Sequence, residues 1–526
     1  MVNLSPYLGE SSDETPTAPP PRRESAALAL LRQFLASLRS TKPAAPAQAA
    51  TLSVLVCPLN NDVEGQAATS IAATLAGFEG FSVRQGGKAL SVSNVRELSA
   101  LAAAAMNARH LAAEERADVL VWGDVINDGE SAILRFAAPA LPEDDRPAPF
   151  TPATCLDLPG ELSDPLKQML FATILTAAEP QDEARRQRQR ELLPPLAQAV
   201  TPLVQRPPMD LNMAQQRSLL TCYGHISALM SLIEPKGDWI DRAVTVFGAA
   251  VKRMGRQDPP VDGQMLEKST ASALMAKADR SKQPNHYEDA IAAYRRVLEN
   301  LPRTAMPAEW AAMQNRLGLA LYRLDLQTGR TELLKEAFVA FQSALQVHTR
   351  AESPQRWAEV MHNLALALEV YGDQMKSPDV LEKAIEACRL VAEVRSRESN
   401  PVAWAAVMNT LGSALFLLDK HSKGSEHLDE AADALRQAAE IYTALGARRP
   451  AAVAQRNLAH VERLLESRRE REQKIPDPHW AFIEDEHEAP PSLPPAEEQT
   501  APAAALDAEG IPLPRVKGKF GHDEGA

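Results

Sequence analysis

Few residues in this sequence stand at spacings that could do chemistry. His421 and His427 share the stretch DKHSKGSEHLDE with Asp419 and Glu426. Imidazoles and carboxylates this close could hold a transition metal. The intervals match no standard ligand motif, so the stretch reads as a solvated loop and no metal site is assigned. Gly86-Gly87-Lys88 has the end of a phosphate-cradling loop. However, Ser82 stands where the earlier glycine belongs and Ala89 where the loop needs a hydroxyl, so that reading is rejected. Cys57, Cys155, Cys222 and Cys388 lie far apart with no CxxC, and read as buried thiols in a reducing compartment. Arg185, Arg186, Arg188 and Arg190 form a basic run, but Asp182, Glu183 and Glu191 balance it, as on a solvated helix face. No Ser-His-Asp, Cys-His or HExxH arrangement stands out. The expectation is a protein that is not an enzyme and needs no cofactor.

The elements that would carry such residues come next. The 526 residues exceed what one core can organise. Hydrophobic residues make up 45% and aromatics 5%, with Ala and Leu dominant, a mixture that favours helix because neither loses much side-chain entropy there. A net charge of -13 repels phosphate backbones, which argues against nucleic acid. No secretory leader is visible, and no window approaches ~18 uninterrupted apolar residues, so no membrane span is expected and the setting is read as cytoplasmic. Residues 1–50 are rich in Pro, Ser and acid and read as disordered, apart from one short amphipathic helix with Leu28, Leu31, Leu35 and Leu38 on one face. Residues 51–142 alternate strand-like and helix-like runs: TLSVLVCPL, EGQAATSIAATLAGF, FSVRQ, an Ala-rich helix from about Asn94 to Ala113, then ADVLVWGDV and SAILRFAAP around the turn NDGE. That order predicts a small α/β layer ending in a hairpin. Residues 156–206 read as a helical connector of two segments, the second broken or kinked by Pro194 and Pro195.

From residue 207 to 466 the chain repeats itself every 47 residues. Ala243, Ala290, Ala337, Ala384 and Ala431 form one column. Others are Ile240, Tyr287, Leu334, Leu381 and Leu428, then Phe247, Tyr294, Phe341, Cys388 and Leu435. A small-residue column holds Gly224, Ala271, Gly318, Ala365 and Gly412. Pro260, Pro307, Pro354 and Pro401 recur too, with Trp310, Trp357 and Trp404 three residues after the last three. Each unit holds two helical halves, and proline suits the first helical turn, where its missing N–H costs nothing. One hairpin cannot bury both faces, so the units must stack into a continuous core. The fold class expected is mainly α: an α-solenoid of about five helix-turn-helix repeats plus a capping helix, preceded by the small α/β domain, with disordered termini. The unbroken register further implies that the array folds without residues 1–205.

The pattern Leu317-Gly318, Leu321, then Ala337, Phe341 and Ala344 resembles the tetratricopeptide repeat (TPR), in a variant longer than that family's unit of about 34 residues. Residues 51–142 resemble the amino-terminal domain of TolB through VLVCPL, through ADVLVWGDV with its hairpin, and through the order of elements. Similar domains precede repeat arrays in some bacterial signalling proteins. In the repeat family the first helix of each pair lines a groove that holds a peptide. By register this points to Asn315, Arg316, Leu319 and Tyr322, then His362, Asn363, Leu366 and Glu369, then Asn409, Ser413 and Phe416. Amides both donate and accept, so this row could capture a peptide backbone; equally, it could bond one repeat to the next. Residues 467–526 are acidic and Pro-rich and read as a disordered tail. Within it, Trp480, Phe482 and Ile483 form a candidate linear motif, as does GIPLPRVKGKF, each weighed against plain spacer. The resemblance implies protein or peptide partners and a scaffold or adaptor role. The alternative is a regulatory protein whose array senses a ligand or partner and whose tail or α/β domain transmits it. Assembly into a homo-oligomer stays open.

Overall fold

A computed structural model describes residues 51–474, apart from 127–129, 141–145, 181, 305 and 423–425. The amino-terminal amphipathic helix, the motif at Trp480, Phe482 and Ile483, and the stretch GIPLPRVKGKF lie outside the described residues.

The chain begins with β1 (Leu52–Val56), α1 (Gln66–Ala76), β2 (Phe81–Gln85), α2 (Leu98–Glu114), β3 (Val119–Ile126) and β4 (Ser131–Ala137). These match the strands and helices expected from the sequence. A fifth strand, β5 (Leu156–Pro159), completes a sheet of order β2-β1-β3-β4-β5. β1 runs parallel to β2 and β3, while β4 is antiparallel to both β3 and β5. β5 corrects the reading of residues 156–206 as wholly helical. Its four residues, LDLP, are too short for the period-2 signal to emerge. The two sheet faces bury alternate residues, as strand geometry demands. Val54, Val121, Leu134 and Leu156 join one core, and Leu55, Leu120 and Trp122 join another with Ala104 and Ala108 of α2. Gly123 has φ 153°, and a Cβ there would lie 1.9 Å from the Ile133 carbonyl oxygen, so only glycine lets β3 and β4 close at this point.

α3 (Asp164–Ala177) and α4 (Glu183–Gln205) follow. α4 runs continuously through Pro194 and Pro195, so of the expected break or kink the break is absent. Pro195 is exposed and Pro194 half-buried, so water can reach carbonyls left without N–H partners. Arg185, Arg188 and Arg190 of this helix pair with acids including Asp118, Glu191 and Glu183.

Five hairpins then repeat in register: α5 (Met213–Ile233) with α6 (Trp239–Val251), α7 (Pro260–Ser281) with α8 (Pro284–Asn300), α9 (Pro307–Thr328) with α10 (Thr331–Leu345), α11 (Pro354–Met375) with α12 (Pro378–Val394), and α13 (Pro401–Ser422) with α14 (Leu428–Ala444). α15 (Arg448–Lys474) ends the array and runs eight residues into the stretch assigned to the tail. The recurring prolines open α7, α9, α11 and α13. Ala243, Ala290, Ala337, Ala384 and Ala431 are all fully buried, as are the residues of the Phe247–Leu435 column. In three hairpins the small column meets that large one: a Cβ on Gly318 would lie 2.6 Å from the Phe341 ring, one on Gly224 2.5 Å from Phe247, and one on Gly412 2.6 Å from Leu435. The protein is thus an α-helical repeat solenoid with a small amino-terminal α/β layer.

Two features bear on what the sequence led us to expect. α13 is long and apolar enough to cross a membrane by length and composition, although half of its apolar stretch is buried inside the protein. Asn409, Thr410 and Ser413 interrupt its apolar run, which is why a search for uninterrupted runs passes over it. It packs against α11, α12 and α14 as a repeat helix. The array also lacks a core of its own at its start. One hydrophobic cluster runs from β1 through α3 and α4 into α5, α6 and part of α7. Buried polar links reinforce it: Thr154 Oγ1 lies 3.2 Å from His225 Nε2, and the Asp157 N–H donates to Ser218 Oγ at 3.0 Å. A second cluster takes over within α7 and continues to α15.

Candidate functional site

The row expected to line a groove lies on α9, α11 and α13. These helices are 22 residues long and successive first helices touch, so what decides each side chain's fate along the seam is the neighbouring first helix. Asn315 is buried. Its Nδ2 donates to Glu359 Oε1 at 2.8 Å, and its Oδ1 accepts from Asn363 Nδ2 at 3.0 Å. One amide of α9 therefore holds two side chains of α11. Arg356 steadies Glu359 from 3.1 Å. Further along, Gln374 Nε2 donates to Asp325 Oδ2 at 2.9 Å.

The next seam repeats the plan with other groups. His362 Nε2 lies 3.1 Å from Thr410 Oγ1. Burial, aided by the charge of Arg395, pushes the imidazole down to about 4, so it is neutral at physiological pH. Ser413 Oγ donates to Glu369. Burial, reinforced by Asp373, pushes the Glu369 carboxyl up to about 7 despite that bond. Asp373 accepts from Lys420 at 2.9 Å and from His421 at 2.7 Å. His421 is thereby tied to the preceding repeat, and the backbone N–H of His427 donates to Asp419 at 3.4 Å. Among the described residues no group of three His, Cys, Asp or Glu side chains is placed to hold a metal.

The remaining candidates divide. Tyr322 is half-buried, and burial together with nearby Glu369 raises its phenol. Arg316 is also half-buried, close enough to Tyr294 for its charge to oppose the effect of burial on that phenol. Phe416 stands edge-on to His460 of α15, ring centres 5.1 Å apart. Asn409 keeps a buried Oδ1 with no hydrogen-bond partner among the described residues. So the structure brings Asn315, Asn363, His362 and Glu369 into bonds between adjacent repeats.

Ser413 belongs to this ladder too, and Glu359, Thr410, Asp325 and Gln374, which were not singled out from the sequence, complete it. The signal for them exists. Four of these bonds span 44 or 48 residues, one repeat less three or one repeat plus one, and the Gln374–Asp325 bond spans 49. The first two offsets differ by one helical turn. A second recurring device lies at the repeat corners. Arg303, Arg350 and Arg397 place their guanidinium groups 4.9, 5.5 and 5.9 Å from the ring centres of Trp310, Trp357 and Trp404. Both the arginines and the tryptophans recur at the repeat period.

No protein-family model matches this chain, and no curated protein matches it. Among solved structures, a circular tandem repeat protein with novel repeat topology and enhanced subunit contact surfaces is similar over 59% of this chain and 85% of that chain, with 15% sequence identity and a TM-score of 0.22.

Proposed function

We infer that the chain is a non-enzymatic scaffold or adaptor that holds protein or peptide partners on a tetratricopeptide-like array. In this reading the TolB-amino-terminal-like layer is a second docking element and the setting is cytoplasmic. The observation that carries it is a strip of equivalent positions. Leu319, Leu366 and Ser413 form one row and Tyr322, Glu369 and Phe416 another, and all six stay half-exposed on three successive first helices. Glu369 and Ser413 bond to each other across a seam, and the polar groups beside the strip are engaged in the rest of the ladder, which leaves a firm surface with little side-chain freedom to lose on binding. A peptide laid across the strip meets each repeat in turn, and binding energy usually concentrates in a few such contacts.

The test separates strip from ladder. The full chain, Tyr322→Ala/Leu366→Ala and Asn315→Ala/Asn363→Ala are used as baits in the native cell, and each is melted in vitro. The strip variant should lose its partner, each truncation costing about 1–2 kcal/mol of binding, while its melting temperature stays near wild type. The ladder variant should melt earlier and retain the partner on its folded fraction. Undiminished capture by the strip variant would sink this assignment of the surface.

A further inference from the structure

A cavity of about 420 Å³ lies where β3, β4 and β5 face α5 and α7. None of its lining residues belongs to α9, α11 or α13. Its walls carry two arginines and three aspartates: Arg135, Arg217, Asp124, Asp157 and Asp262. Several of these are already committed. Arg217 Nη1 lies 2.6 Å from Asp258 Oδ2, with Asp262 3.9 Å from its other amino group. Asp124 accepts from Asn60 Nδ2 at 3.0 Å.

Arg135 and Asp157 are different. Each is 7% exposed. Arg135 buries Nε and Nη1, and Asp157 buries Oδ1, with no hydrogen-bond partner for these atoms among the described residues. The two stand on adjacent antiparallel strands. Ile133 is the ladder partner of Asp157, and Arg135 follows two residues along on the same face. Despite that nearness they do not join in an ion pair. Arg135 has the face of Trp122 at 5.8 Å, a weak contact beside a full hydrogen-bonding complement. The fold needs neither charge: β4 and β5 are held by their backbone ladder, and an apolar residue would fill either place at less cost. Buried polar atoms are nearly always satisfied in folded proteins, and exceptions cluster at sites of function.

We propose that this cavity binds a small zwitterion, an apolar α-amino acid or short dipeptide, whose carboxylate is taken by Arg135 and whose ammonium is taken by Asp157. The volume falls in the range of small-molecule sites. Val95, Ile126, Ile133, Met254 and Leu266 supply apolar wall for a side chain. The local charge also favours an incoming cation beside the carboxylates. Burial pushes Asp157 up to about 6, against a hydrogen bond from Gln215 and the charge of Arg217. It pushes Asp262 up to about 6 as well, against Arg217 and Arg135. An ammonium near them restores what burial takes away. Because the walls come from the sheet and from the first two repeats, the bound molecule clamps the α/β layer to the array.

The experiment uses the full chain with leucine, methionine, phenylalanine and the dipeptide Leu-Leu as probes. 4-Methylpentanoate serves as the acid without the amine and isoamylamine as the amine without the acid. Melting temperature and calorimetric titration are read for wild type, Arg135→Met, Asp157→Asn and Ala153→Phe, the last filling the cavity without removing a charge. At least one zwitterion should raise the melting temperature saturably. Its affinity should fall at least tenfold in each variant, and each single-charge analogue should bind at least tenfold more weakly. Arg135→Met without ligand should melt at or above wild type, since it relieves an unpaired buried charge. The proposal is overturned if no zwitterion binds, if Arg135→Met binds as wild type does, if an analogue binds equally well, or if unliganded Arg135→Met melts well below wild type while Ala153→Phe still binds.

Discussion

Gly318 and Ala337 show how little room the array leaves at its close approaches. A methyl on Gly318 would enter the Phe341 ring at 2.6 Å, and Ala337 is fully buried against the same hairpin. Gly318→Ala and Ala337→Leu should each destabilise by ~1–3 kcal/mol, because a filled interior yields only by moving backbone or rotamers. Chemical denaturation of both variants measures this, and an unchanged midpoint for Ala337→Leu would mean that the column does not pack as described. His362 provides a pH-dependent case. An unfolded chain takes up that proton near pH 6.5, the folded chain near 4. Stability present above about pH 6.5 therefore drains away as pH falls towards 4, by on the order of 3 kcal/mol for this group. His225, also pushed down to about 4 by burial, acts in the same sense. Glu369 acts in the opposite sense, gaining as pH falls below about 7. The difference between wild type and His362→Gln isolates the histidine: the variant should lose less stability between pH 7 and pH 4, and parallel curves would refute the assignment.

At the scale of helices and strands, the arginine–tryptophan corners are regular enough to measure. Arg350 lies over Trp357, which is 7% exposed, where the loop enters α11. A double-mutant cycle of Arg350→Met with Trp357→Leu should give a coupling of about 0.5–1 kcal/mol. A coupling indistinguishable from zero would reduce the corner to coincidence of packing. These elements also mark where the sequence could be read and where it could not. The helices of the array were legible because apolar, small and proline columns recur without insertion from Ile240 to Leu435. Burial alone writes that pattern. The ladder was not, because Asn315 pairs with Glu359 and Asn363 only once the phase of α9 against α11 is fixed, and apolar columns leave that phase undetermined. β5 escaped notice as four residues ending in Pro159. The cavity joins Arg135, Asp157 and Asp262, which only tertiary structure brings to one wall.

For the whole described chain, the main consequence of the shared core concerns truncation. Leu219, Ile226 and Met230 of α5 are buried with the sheet and with α3 and α4. A fragment of residues 207–474 would expose them, at roughly 1.5–3 kcal/mol for each large side chain. We expect that fragment to melt below the full chain. Hydrogen exchange should show α5 and α6 open while α9 to α14 keep their protection. Equal protection of α5 in fragment and full chain would show that the common core is contact without energetic dependence.

The ladder between first helices has a further meaning for how such a chain reaches its fold. Hairpins of one length and one apolar pattern can dock in the wrong order, since each presents nearly the same oily face to any other. The seams here are individually keyed. If α13 stacked directly on α9, skipping a unit, Asn315 would meet Ala406 where it now meets Glu359, and Thr410 where it now meets Asn363. A buried amide facing a methyl group loses its acceptor, a penalty of ~1–3 kcal/mol that the correct neighbour does not incur. His362 with Thr410 marks the following seam with a different pair. Interchangeable geometry thus carries non-interchangeable labels, and the assembling chain can tell its third hairpin from its fifth.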